Sequence, residues 1–241
     1  MKNIQIEDKQ IKGQIDNEIK NKEIKSFEWL HYCFIAIPII LAVYYWNLLP
    51  EQMAVHFAID GTADNYMDKI YAIFIIPGLS LILYVLLKYA PLIDPKKNFD
   101  KFKKTFIYIR LGLTAFLSLI GVFLVLYGVG IELAVGKIVP IIVLLFFILL
   151  GNLMSRFRPN YFIGIRTPWT LESEEVWMKT HRLGAKLWTY GSIIMIPIVI
   201  YIDEETNFYI FIFYIAVIAL IPLAYSYIYH RRLKKEGFNI D

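Results

Sequence analysis

The order of apolar and polar residues divides the chain into six long apolar runs separated by shorter polar stretches. The runs cover Phe27 to Leu49, Ile70 to Ala90, Phe106 to Gly128, Ile138 to Met154, Leu187 to Ile202 and Phe208 to Tyr229. An α-helix rises about 1.5 Å per residue, so roughly 20 apolar residues cross a hydrocarbon layer about 30 Å thick. The fourth and fifth runs are the shortest. The pattern predicts an all-α integral membrane protein with six transmembrane helices: a polar tail over residues 1–26, a membrane domain over 27–230 and a basic end over 231–241.

Composition supports this division. Of 241 residues, 58% are hydrophobic and only 19% charged, below the roughly 25% charged of soluble domains, and the mean hydropathy is +0.52. A soluble fold of this length has too little interior to hide so much apolar surface. Residues 1–26 mix Lys, Asn, Glu and Ile with no compact apolar run or small-residue cleavage site. They read as a solvated tail, with Ile11, Ile15 and Ile19 at helical spacing, and the first run as a retained span. The single cysteine, Cys33, leaves no intrachain disulfide.

Charge gives the spans a direction. Short cytoplasmic loops carry an excess of Lys and Arg, and 21 of the 25 basic residues fall in the tail, the second loop, the fourth loop and the carboxyl end. Lys88 and Arg110 flank the same side. Only Lys69 and Lys137 remain for the opposite side, where Glu51, Asp60, Asp64, Asp68, Glu132, Asp203, Glu204 and Glu205 gather. Both termini are therefore expected in the cytoplasm of a multi-pass plasma-membrane protein. Topology accounts for the pI of about 8.9, so direct nucleic-acid binding is not expected. Trp29, Trp169, Trp177 and Trp188 are expected at the inner interface and Trp46 at the outer one.

The centres of the spans carry no Asp, Glu, Lys, Arg or His, which weighs against a proton relay or ion pump. Glu28, His31, Lys88 and Arg110 lie near the inner ends, where long side chains reach the headgroups. Thr114, Ser118, Gly121 and Gly128 share one face of the third span and are expected to seat a neighbouring helix of the same chain. Pro38, Pro77, Pro140, Pro197 and Pro222 place a proline in five spans, where kinked packing is the expectation.

Two loops hold the candidate chemistry. The first outer loop offers Pro50, His56, Phe57, Asp60 and Gly61 as recognition residues, with a β-like stretch over Val55 to Ile59 and a tight turn at Asp60-Gly61. His31, His181 and His230 belong to the opposite side, so His56 lacks a second imidazole and no metal site or cofactor is expected; a His that hydrogen-bonds its own loop is the plainer reading. The fourth, cytoplasmic loop is the most distinctive stretch. Its candidates are Asn152, Arg158, Pro159, Asn160, Gly164, Arg166, Thr167, Pro168, Trp169, Trp177, His181 and Arg182. Guanidinium groups among aromatics suit a lipid headgroup or an acidic protein segment, against the simpler reading of positive-inside charge plus turn chemistry. Ser173 is expected to cap a helix beginning Glu174-Glu175. The face formed by Val176, Trp177, Thr180, Leu183, Gly184, Leu187 and Trp188 predicts an interfacial cytoplasmic helix that lies on the membrane before turning into the fifth span, with His181 interfacial.

At these two loops the sequence resembles the SdpI family of bacterial membrane proteins, named for immunity against a sporulation-delaying killing peptide. The first loop is similar to the family's amino-terminal domain of uncharacterised function through Pro50, His56, Phe57 and Gly61. The fourth resembles the family's carboxyl-terminal region through Gly151-Asn152, Pro159-Asn160, Gly164 to Thr170, Trp177, Thr180-His181-Arg182 and Gly184. Ala54, Ala58 and Ala185 depart from residues common in the family. The resemblance implies six spans and protection against a secreted membrane-active peptide toxin recognised on the outer face. It also implies signalling, by a small transcriptional repressor held at the cytoplasmic face. The alternatives are a small-solute transporter and a membrane enzyme acting on lipid headgroups. Against the enzyme stands the sequence itself, which has no nucleophile-base spacing, metal cluster, phosphate-cradling glycine loop or dinucleotide fingerprint; no catalytic residue is expected.

Overall fold

A computed structural model describes residues 27–236. The expectations for the polar tail, its isoleucine stripe included, and for residues 237–241 lie outside the described residues. Within them, six helices are long and apolar enough to cross a membrane. They are α1 (Phe27–Tyr44), α2 (Lys69–Ile93), α3 (Lys103–Gly128), α4 (Val135–Met154), α6 (Glu174–Tyr201) and α7 (Glu204–Lys235), with a short α5 (Pro168–Glu172) before α6. The protein is an all-α multi-pass membrane protein.

Two strands, β1 (Gln52–Phe57) and β2 (Ala63–Asp68), pair antiparallel between α1 and α2, with Gln52 opposite Asp68, Phe57 opposite Ala63 and irregular register around His56. The hairpin marks one end of the bundle. The Arg-rich loop between α4 and α6 marks the other, beside the α2–α3 connection.

Several bounds differ from the sequence expectation: the first strand runs Gln52–Phe57 rather than Val55 to Ile59, and three differences among the helices bear on the sites. The first helix stops at Tyr44 rather than Leu49. Pro50 disfavours helical backbone at the preceding residue, and Tyr45 to Leu49 form turns that swing Leu49 into a buried cluster with Met53, Ala72, Ile73 and Val125. The last helix runs on to Lys235, into the basic end, where Arg232, Lys234 and Lys235 suit the negative pole of the helix dipole.

The third difference is a correction: the expected surface helix and the fifth span are one continuous helix of 28 residues, α6. No proline interrupts it before Pro197, and its first turns bury Val176, Trp177, Thr180, His181 and Gly184. That face covers protein rather than lipid. At about 42 Å the helix is longer than the roughly 30 Å that a hydrocarbon layer requires. Ser173 caps it as expected, its hydroxyl accepting from the Val176 N–H at 3.4 Å.

The small face of α3 packs within the chain, as expected. A Cβ at Gly121 would stand 2.9 Å from Pro38 of α1, and Thr114 meets His31 of the same helix. In the second half of the bundle, α4 lies close along α6: a Cβ at Gly151 would stand 2.8 Å from the Thr189 nitrogen.

Candidate functional site

The Arg-rich loop is a built structure. Asn160 is fully buried; its amide donates to the Arg158 carbonyl at 2.8 Å, and its carbonyl accepts from the Phe162 and Ile163 N–H groups at 2.9 and 2.8 Å. One side chain thus folds the turn Arg158 to Ile163. The α2–α3 connection holds the loop from beside it. Asp94 accepts from the Tyr161 N–H at 3.0 Å, Asn98 donates to the Pro159 carbonyl at 2.8 Å, and Lys96 donates to the Leu171 carbonyl at 2.8 Å.

After Asn160 the chain crosses α6. His181 Nδ1 lies 2.8 Å from the Trp177 carbonyl, an acceptor only, so Nδ1 carries the proton and donates. Nε2 is left to accept the Ile165 N–H at 3.0 Å. Trp177 stacks on the imidazole, ring centroids 4.1 Å apart, and donates its indole N–H to the Phe157 carbonyl at 3.0 Å. Gly164 passes over this pair with φ +104°, and a Cβ there would stand 2.5 Å from His181 Nε2. The left-handed backbone and the close approach both require glycine. Then Thr167 caps α5: its hydroxyl accepts from the Thr170 N–H at 3.1 Å, Pro168 takes the first helical position, and Thr167 also bonds Ser226 of α7 at 3.1 Å. Trp169 packs on Tyr227 at 4.9 Å.

The candidate residues therefore separate. Pro159, Asn160, Thr167, Trp177 and His181 form one buried framework, with Gly164 exposed above the His181 ring and Pro168 and Trp169 along the edges. Trp177 and His181 are 0% and 1% exposed, which corrects the expectation that they lie on a lipid-facing stripe: both are covered by the folded loop. The arginines point outward. Arg158 faces Glu174 at 3.8 Å and Met178 Sδ at 3.3 Å, Arg166 donates to the Tyr161 carbonyl, and Arg182 and Asn152 are exposed.

At the opposite end, β1 lies on the bundle and β2 faces away. Phe57 meets the Tyr127 ring edge-on at 4.9 Å, while His56 is exposed and its Nδ1 lies 2.6 Å from Asp64. His56 thus bonds its own hairpin. In the turn, the hydroxyl and N–H of Thr62 donate to Asp60 at 2.6 and 3.0 Å and hold its carboxyl below the usual range. Gly61 has φ +81°, and a Cβ there would stand 2.6 Å from Glu204 Oε2. Glu204 in turn accepts from the Gly136 N–H at 2.7 Å, so the tip rests where α4 and α7 begin. Pro50, exposed, leads into β1.

A third cluster was invisible in the sequence. Glu28 of α1 pairs with Arg110 of α3 at 2.6 Å and with Lys88 of α2 at 3.3 Å, and accepts from the Tyr84 hydroxyl. One turn deeper, His31 bonds Thr114 at 3.0 Å and is fully buried. Arg110 is only 6% exposed. The expectation that these residues reach for the headgroups is corrected for Arg110 and His31, which turn inward and join three helices. Spacing carried no signal because the three partners of Glu28 lie 56 to 82 positions from it. Among the described residues, no group of three or more His, Cys, Asp or Glu side chains is placed to hold a metal ion.

Fold and loops together define a membrane protein with six helices long and apolar enough to span the bilayer and an ordered polar structure at each end. Comparison with known proteins bears out the family resemblance at both ends. Residues 156–226, the Arg-rich loop with α5, α6 and most of α7, match the SdpI/YfhL protein family. Residues 33–81, from α1 through the hairpin into α2, match a domain of unknown function (DUF1648). The chain is also 26% identical over 199 residues to the immunity protein SdpI of Bacillus subtilis (strain 168), covering 83% of this chain and 93% of that protein. No solved structure matches it.

Proposed function

We propose that this protein protects its cell against a secreted membrane-active peptide, with the hairpin outside, both termini in the cytoplasm and the Arg-rich loop on the inner face. The observation that carries the reading is the similarity to an immunity protein along nearly its whole length, together with ordered loops in both regions that match family descriptions. The hairpin suits recognition. Exposed His56, Asp60 and Asp64 stand on a paired β hairpin beside the apolar helix ends, so a peptide settling onto the membrane would meet polar and apolar groups together.

On the inner face, Arg158, Arg166 and Arg182 lie at the outside of the framework, with Arg158 on Met178 and Glu174 of α6 and Arg166 on the Tyr161 carbonyl. Such a surface suits an acidic segment of a small transcriptional repressor.

Deleting the gene and challenging cells with killing peptides from the strain and its neighbours tests the first part. Sensitivity to one peptide, restored to resistance by the wild-type gene, is expected; unchanged sensitivity across the panel sinks the immunity reading. For the second part, the double substitution Arg158→Ala with Arg166→Ala is expected to release the repressor from membranes while the protein still folds. Retained recruitment removes the docking reading and leaves immunity standing.

A further inference from the structure

A cleft of about 570 Å³ opens between α2, α3 and α4 beneath the Arg-rich loop. Its walls include Leu86, Leu113, Phe146, Leu150 and Trp188, and Arg166 is the one charged side chain that lines it. The volume lies within the roughly 300–1,000 Å³ of ligand sites. Leu86 and Ile93 on the α2 wall are exposed, so the cleft opens sideways into the membrane rather than upward into water. From Ile93 to Leu83 the α2 wall is about 15 Å long, half the roughly 30 Å of hydrocarbon, which is the depth of one leaflet. The loop closes the headgroup end, where Gly164 offers no side chain and Arg166 stands at the lip.

Arg166 forms no ion pair among the described residues. Its one described bond is to the Tyr161 carbonyl, and no carboxylate lines the cleft. An occupant must therefore be apolar over one leaflet's depth and negative at the level of the loop. We infer that the cleft holds an acyl chain of an anionic phospholipid whose phosphate is bound by Arg166. A zwitterionic lipid offers the same chain and phosphate, but its ammonium finds no acidic partner in the lining. Selectivity thus follows from net headgroup charge, and one Arg near the surface is worth about fivefold in affinity. This inference does not depend on the immunity reading; where Arg166 holds a lipid phosphate, Arg158 and Arg182 are left to the docking proposed above.

Trp188, inside the cleft, reports occupancy. The full-length protein in phosphatidylcholine vesicles is titrated with phosphatidylglycerol carrying brominated chains, and separately with brominated phosphatidylcholine. Subtracting the Trp188→Phe variant isolates the quenching of Trp188. Half-maximal quenching is expected at about fivefold less brominated phosphatidylglycerol than phosphatidylcholine. Arg166→Gln is expected to merge the two curves and Arg166→Lys to keep them apart, while Leu113→Phe, which narrows the cleft, weakens quenching by both lipids. Coincident curves in the wild type, or an undiminished preference in Arg166→Gln, overturn the proposal. So does an acidic apolar peptide that displaces both brominated lipids, which would assign the cleft to a peptide.

Discussion

The backbone N–H of Ile165 donates to Nε2 of His181 at 3.0 Å, while Nδ1 of the same ring is committed to the Trp177 carbonyl. Both nitrogens are thus used in the neutral ring, and the Arg-rich loop is pinned to α6 by one imidazole. His181→Phe keeps most of the ring volume and removes the acceptor, which is expected to cost about 1–3 kcal/mol. His181→Ala also leaves a cavity under Trp177, and about 3 kcal/mol or more is expected. Thermal unfolding in detergent measures both, and trypsin is expected to cut faster after Arg156 and Arg166 in each variant, the Arg158-Pro159 bond being resistant. Unchanged melting and proteolysis would show that the loop does not depend on this ring.

Gly164 makes the same joint from the other side. Gly164→Ala forces a side chain into left-handed backbone and against the imidazole at 2.5 Å, and a loss of about 1–3 kcal/mol is expected. In Gly164→Ala with His181→Ala, the clash is gone but the backbone strain stays. The double variant is therefore expected to lose less than the sum of the single losses, which a thermodynamic cycle in detergent checks.

These residues also show how far the sequence could be read. Hydrophobic runs located the spans because every backbone polar group in lipid must be satisfied within a helix, and Asp60-Gly61 announced the hairpin through turn chemistry. The identities of Gly164, Trp177 and His181 were legible as a motif, but their depth was not. An amphipathic stripe looks the same whether it faces lipid or a folded loop, and only the continuity of α6 decides between them. The Glu28–Arg110 pair was out of reach because its partners meet through helix packing across 82 positions.

That pair makes a sharp test. Arg110 is nearly buried against Glu28, and removing one member of a buried pair strands the other, at a cost of about 3–5 kcal/mol. Arg110→Met and Glu28→Gln are each expected to destabilise the α1–α3 contact strongly. Together they leave only Lys88 without its carboxylate, and that side chain is partly exposed to solvation, so the double variant is expected to cost clearly less than the two single losses combined. Additive losses in detergent unfolding would mean that the two charges are not coupled.

The hairpin turn carries a pH dependence of known sign. Thr62 holds the Asp60 carboxyl below its ordinary range, so the folded turn favours the ionised form. Its contribution is present above the unfolded carboxylate value of about 3.9 and is lost as pH falls through the lower folded value. Amide exchange at Thr62, corrected for its intrinsic pH dependence, is expected to lose protection on acidification through that window. Asp60→Ala is expected to abolish the step, and a step that survives the substitution would trace to another group.

Charge segregation predicts which end of the bundle faces outward, and the proposed function depends on that sidedness. In a Cys33→Ser background, which removes the chain's only native thiol, single cysteines replace His56 in the hairpin and Arg182 near the Arg-rich loop, both exposed. A membrane-impermeant maleimide added to intact cells is expected to label His56→Cys and spare Arg182→Cys. After permeabilisation both should react, which shows that Arg182→Cys was shielded by the membrane and not by the fold. The reverse pattern in intact cells would place the hairpin in the cytoplasm and end the proposal that it recognises a peptide arriving from outside.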